Sequence, residues 1–187
     1  TGFFFNTMYN VVDTWYAGRY STEALAALSL TFPVFFILLA TGSGFSTGAT
    51  ALIGNALGQN NRQEAALTAS QGLLLSLIVS AVVLVLGFTT APAMYRFLGA
   101  TGEYLQLCLD YIQIILIGCS FVFVFYMFNG VLNSLGDTKA FRNYLLGATI
   151  ANLILDPVFM YGWLGFPAMG VKGIALATVM AQAGGAV

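Results

Sequence analysis

The sequence predicts an all-α, polytopic membrane helical bundle, and three observations carry that prediction. The first is composition: the chain of 187 residues is 59% hydrophobic and 7% charged, whereas a water-soluble domain carries about 25% charged residues. The second is where charge is missing. None occurs from Ala24 to Asn61, from Ala65 to Tyr95 or from Tyr111 to Gly136, and each stretch exceeds the roughly 20 residues a helix needs to cross a hydrocarbon core. The third is the lack of polar and apolar alternation, which argues against a β-barrel and leaves helices to satisfy the backbone in lipid.

Six apolar segments follow in order. The first spans about 2–17 and is short for a complete crossing; the second, about 24–57, is longer than a minimal one. The third covers about 64–88, the fourth 104–132, the fifth 141–161, and the sixth runs from 171 to the end. Between them lie Gly58-Gln59-Asn60-Asn61-Arg62, Gly99-Ala100-Thr101-Gly102-Glu103, Gly136-Asp137-Thr138-Lys139 and Gly162-Trp163-Leu164-Gly165-Phe166-Pro167, runs whose glycine, proline and polar residues mark turns. Both ends read as cut within an apolar run, so residues 1–187 are expected to be part of a longer membrane protein. Arg19, Arg96 and Lys172 fall on one side and Arg62, Lys139 and Arg142 on the other, a balance that leaves orientation to the Lys139/Arg142 cluster and favours a cytoplasmic placement for the 58–62 and 136–139 linkers.

Composition also excludes functions. With no histidine there is no imidazole base, Ser-His pair or HExxH site, and no nucleophile motif replaces them, so no enzyme is expected and no cofactor is implied. A net charge of −1 without a basic run argues against nucleic acid. Cys108 and Cys119 are read as small buried hydrophobes. In the second segment Gly42, Gly44 and Gly48, followed by Gly54 and Gly58, point to close helix packing in lipid. Gly42-Ser43-Gly44 has neither the preceding strand nor the spacing of a dinucleotide loop.

The polar residues inside these apolar helices are the functional candidates. Asn6, Tyr9, Asn10 and Asp13 are spaced i, i+3, i+4, i+7 and share one helical face. A carboxylate within a span usually faces a bundle interior or an aqueous cavity; placement of Asp13 near the membrane surface, with Arg19 close by, is the alternative. Asn152 and Asp156 lie one turn apart, and Pro157 then leaves the Leu153 carbonyl without its intrahelical donor. Broken helices at membrane depth often form ion sites, although a structural kink explains the same pattern. Tyr111 and Asn129 are five turns apart on one line, and Ala175, Thr178 and Gln182 share a face. Four inward stripes suggest a water-accessible cavity. In it, Asp13 and Asp156 can share a proton and titrate as a unit, or Na⁺ can be held by oxygens of Asp13, Asn152, Asp156 and Thr178, the donor type hard cations prefer.

These residues sit in motifs that resemble the multidrug and toxic compound extrusion (MATE) transporters. The resemblance is carried by Tyr9-Asn10-Val11-Val12-Asp13-Thr14, Gly44-Phe45-Ser46-Thr47-Gly48, Ile53-Gly54-Asn55-Ala56-Leu57-Gly58-Gln59, Asn129-Gly130-Val131-Leu132, Asn152-Leu153-Ile154-Leu155-Asp156-Pro157 and Gly170-Val171-Lys172-Gly173-Ile174-Ala175-Leu176-Ala177-Thr178, in family order. It implies one six-helix lobe, the N-terminal one, of a two-lobe, twelve-helix transporter, with its first and last helices truncated. It further implies that Asp13, Asn152, Asp156 and Thr178 match ion-coupling positions, and that Tyr9, Tyr111 and Asn129 match cavity positions; Asn10 joins them through its place on the stripe. The implied activity is proton- or Na⁺-coupled antiport of amphipathic or cationic organic compounds across the cell inner (plasma) membrane, with the bilayer and a C-terminal lobe as partners. A flippase for lipid-linked precursors and a non-transporting membrane subunit are the competing expectations.

Overall fold

The computed structural model describes the backbone of residues 2–184 and the side chains of residues 10–184. Six helices follow one another: α1 (Gly2–Tyr20), α2 (Thr22–Gly58), α3 (Arg62–Phe97), α4 (Gly102–Ser134), α5 (Thr138–Tyr161) and α6 (Val171–Ala183), with a 3-10 turn at Trp163–Gly165 before α6. Their starts are set locally. Ser21 accepts a hydrogen bond from the Ala24 amide at 3.0 Å, and Asp137 accepts from the amides of Lys139 and Ala140 at 3.0 and 3.1 Å. Asn61 accepts from the Glu64 amide at 3.1 Å and donates to the Glu64 carboxylate at 2.8 Å, so α2, α3 and α5 begin with orphan amides satisfied by side chains.

Several helices outrun the apolar segments that predict them. α2 has 37 residues, about 55 Å at 1.5 Å per residue, well beyond a hydrocarbon core of about 30 Å. α3 continues through Pro92 to Phe97. Among the described residues, α2, α3, α4 and α5 are long and apolar enough to span a membrane. α1 carries Asp13 and Arg19 within its 19 residues, and α6 has 13.

α4 is the central helix, packed by α2, α3 and α6, while α5 bridges α6 and α1. Its buried row of Cys108, Ile112, Ile115, Leu116 and Phe123 anchors the main core, and Cys108 and Cys119 are both free and buried, as expected. The expected glycine packing is only partly realised in α2. A Cβ on Gly42 would meet the Tyr126 ring at 2.6 Å, but at Gly44, Gly48, Gly54 and Gly58 it would meet nothing within 4 Å. An equally close α2–α4 approach, against backbone, comes from α4: a Cβ on Gly130 would lie 2.6 Å from the Ser46 carbonyl and 2.7 Å from the Ala49 side chain. At the other end, Gly173 lets the first turn of α6 rest on the end of α5, where a Cβ would lie 2.6 Å from the Met160 nitrogen. The Met169 and Gly170 amides complete that junction by donating to the Phe159 and Met160 carbonyls at 2.9 and 3.2 Å. This docking sets how far Thr178 reaches toward α1.

Candidate functional site: a buried carboxyl pair beneath an open pocket

α1, α5 and α6 bring Asp13, Asn152, Asp156 and Thr178 together. Asp13 is 3% exposed and the other three 0%. The Thr178 hydroxyl contacts Asp13 Oδ2 at 3.1 Å and its own-helix Ile174 carbonyl at 3.0 Å. Asn152 Nδ2 donates to Asp156 Oδ1 at 3.2 Å. The two carboxyl groups adjoin each other, with Asn152 beside both, and Tyr111 of α4 is within electrostatic reach of both acids. Each acid thus has one oxygen oriented by a neutral donor. The others, Asp13 Oδ1 and Asp156 Oδ2, are buried without a hydrogen-bond partner, as is Asn152 Oδ1.

Buried acceptors left unpaired are costly, and adjacent buried carboxylates without a cation more so. Among the described residues the one salt bridge is elsewhere, between Lys172 and Asp110 at 3.3 Å. Nor does any group of three His, Cys, Asp or Glu side chains gather for a metal. What remains is a small oxygen-lined cage with two acids, two neutral donors and no fixed counter-charge, a chemistry that suits an exchangeable proton or a hard monovalent cation.

Asp13 also belongs to a second space. A pocket of about 670 Å³ opens between α1, α2 and α4, with Asn10, Asp13, Thr14 and Trp15 on one wall, Leu28, Ser29 and Phe32 on another, and Tyr111 on the third. Among the described residues no lysine or arginine lines it. Asp13 is its acid and simultaneously half of the carboxyl pair, so the two spaces meet at one side chain.

The sequence-predicted positions divide accordingly. Asp13, Asn152, Asp156 and Thr178 meet; Asn10 and Tyr111 line the pocket. Tyr9 lies outside the residues whose side chains are described. Asn129 is not on that wall: it is 7% exposed in the α2–α4 seam, donating to Ser46 Oγ at 2.9 Å and accepting from Asn133 at 3.2 Å. The Leu153 carbonyl freed by Pro157, expected to be open to an ion, is engaged as well, because the Tyr16 hydroxyl of α1 donates to it at 3.3 Å. Sequence reasoning missed Tyr16, although it extends the α1 stripe by three residues beyond Asp13.

The chain is thus a membrane-spanning helical bundle that encloses two acids at the foot of an open pocket. Comparison with known proteins places it more closely. The chain belongs to the MatE family, whose sequence profile matches residues 1–158. It is 33% identical over 171 residues to an FAD transporter of Shewanella oneidensis, covering 91% of this chain and 38% of that protein. Its fold matches a multidrug resistance MATE family transporter of the MOP superfamily in an inward-facing conformation, with a TM-score of 0.90 and 28% identity over 96% of this chain and 40% of the other. The match to an outward-facing conformation has a TM-score of 0.87 and 29% identity over 99% and 40% of the two chains. The chain therefore spans about 40% of the length of these transporters. Its homologues are multi-pass membrane transporters, not enzymes.

Proposed function

We propose that this chain is the N-terminal six-helix lobe of an ion-coupled antiporter that exports amphipathic or cationic organic compounds by alternating access. The observation that carries the reading is the cage itself: two adjoining buried acids, three buried oxygens without partners and no fixed cation. Such a site gains most from an ion that comes and goes. Because Asp13 faces both cage and pocket, uptake of a proton or Na⁺ by the pair withdraws the negative charge that holds a cationic substrate. Ion and substrate then exclude one another, which is the differential interaction that exchange requires.

In the cycle, the outward-open state releases substrate as Asp13 and Asp156 take up the ion; the lobe then returns and gives the ion to the cytoplasm. The likeness of one lobe to both inward- and outward-facing transporters supports movement of the lobe largely as a body. The uncharged lining around Asp13 favours cationic or neutral cargo over the polyanionic lipid precursors a flippase carries. Location in the cell inner (plasma) membrane and pairing with a C-terminal lobe belong to the same proposal.

The test uses the full-length protein in proteoliposomes with an imposed proton or Na⁺ gradient. Asp13→Asn and Asp156→Asn are each expected to abolish gradient-driven efflux while purification behaviour is kept. The gradient that drives wild-type efflux identifies the coupling ion, and undiminished efflux in both variants would sink the assignment.

A further inference from the structure

At the opposite end of α1 from its first residues, a second pocket of about 500 Å³ is lined by Trp15, Tyr16, Arg19, Pro157, Tyr161 and Trp163. Its place in the fold is the junction where α1 ends at Tyr20 and α5 at Tyr161, a level at which spans leave the hydrocarbon. Four of its six side chains are Trp or Tyr, the residues that settle at the membrane–water interface. The guanidinium of Arg19 sits 5.0 Å over the Trp15 ring, and the Tyr161 and Trp163 rings stack with centroids 6.2 Å apart. Trp163 is 58% exposed, and the adjoining Leu164 and Phe166 are 86% and 50% exposed. Large apolar side chains held outward at this level are placed to enter a leaflet.

We infer that this pocket binds the headgroup of an anionic phospholipid. The charge of Arg19 decides the sign of the ligand. An aromatic cage by itself suits a quaternary ammonium group, but Arg19 already covers the Trp15 face and repels a second cation. Among the described residues Arg19 has no carboxylate in salt-bridge range, and its planar fork matches phosphate oxygens. Tyr161 and Trp163 flank the headgroup, while Leu164 and Phe166 lie beside the first carbons of its acyl chains. The ligand is a lipid and not a dissolved anion because the cage is aromatic and adjoins lipid-facing side chains. A headgroup bound here ties the end of α1 to the end of α5, next to the Tyr16–Leu153 hydrogen bond.

The experiment places the full-length protein in phosphatidylcholine vesicles containing increasing fractions of brominated phosphatidylglycerol. Bromine quenches nearby tryptophan, and the signal of Trp163 is isolated as the difference between wild type and Trp163→Phe. Half-quenching is expected at a phosphatidylglycerol fraction about fivefold higher in Arg19→Gln, the loss of one basic contact at an anionic surface. Arg19→Lys, which keeps the charge but not the fork, falls between. Arg19 is exposed, so the variant is expected to fold, and an unchanged emission spectrum in pure phosphatidylcholine verifies it. Three results would overturn the inference: quenching unaltered in Arg19→Gln, equal quenching by brominated phosphatidylcholine, or relief of quenching by inorganic phosphate, which marks a site for soluble anions.

Discussion

Replacing Asp13 by asparagine is expected to make the protein more stable and unable to couple. The Thr178 hydroxyl can donate to the asparagine oxygen as it does to Asp13 Oδ2, at 3.1 Å in the wild type. The new amide nitrogen then takes the place of Asp13 Oδ1, beside Asn152 and Asp156, where Asn152 Oδ1 and Asp156 Oδ2 both lack a donor. A new hydrogen bond from the amide to either acceptor contributes about 0.5–1.5 kcal/mol. Removing one of two adjoining buried acids also lowers the cost of holding charge in the cage. The expected gain is about 0.5–1.5 kcal/mol, read as a shift of the unfolding transition of the detergent-solubilised full-length protein in sodium-free buffer at neutral pH. Efflux measured in parallel should be lost. A destabilised Asp13→Asn would mean that Asp13 Oδ1 already has a donor, and the reasoning from an unsatisfied cage would fail.

Three further outcomes follow from the same contacts. Gly173→Ala places a methyl 2.6 Å from backbone atoms at the end of α5; overpacking of this kind costs about 1–3 kcal/mol, and thermal unfolding should register it, whereas Gly44→Ala, with nothing within 4 Å, should be near neutral. Thr178→Val removes the donor to Asp13 and is expected to weaken coupling, with Thr178→Ser restoring it in a gradient-driven efflux assay. Tyr16→Phe strips the donor from the Leu153 carbonyl, four residues before Pro157, at a cost of about 0.5–1.5 kcal/mol; denaturation of the variant beside Tyr16→Leu distinguishes loss of the hydroxyl from loss of ring packing.

The membrane class and all six helices were legible because lipid penalises charge so heavily that its absence is a long-range signal. The meeting of Asp13 with Asp156 was legible for the same reason: two acids within apolar helices have few places to go except toward each other or a cavity. Depth along a helix was harder to read. Tyr111 and Asn129 do share a line on α4, yet 18 residues separate them by about 27 Å, and the neighbour changes along that length. At Tyr111 the line faces the pocket beside α1; at Asn129 it faces Ser46 of α2. Periodicity gives the direction of a side chain and says nothing about which helix stands opposite. Of the α2 glycines only Gly42 marks a close approach, while Gly44, Gly48, Gly54 and Gly58 do not, since close approach depends on what the other helix presents.

The choice of neutral neighbours for the carboxyls bears on the proposed mechanism. A lysine in place of Asn152 or Thr178 would pair with the acids permanently and remove any need for an exchangeable ion. An alanine at either place would leave the carboxyls free to rotate. Thr178 and Asn152 do neither: each fixes one carboxyl oxygen and leaves the second bare. The bare oxygens come from α1 and α5 and the Thr178 hydroxyl from α6, so an ion that satisfies them must draw three helices together, and its departure releases them. α5 reaches Asp156 immediately before Pro157, where its own hydrogen-bond ladder is interrupted and a hydroxyl from α1 fills the gap. The helix is therefore held at this break in its ladder by the same partner that carries the other acid. On the proposed reading, ion binding and the Tyr16–Leu153 hydrogen bond are two contacts across a single α1–α5 interface, so a change in one is felt by the other without any longer route through the fold.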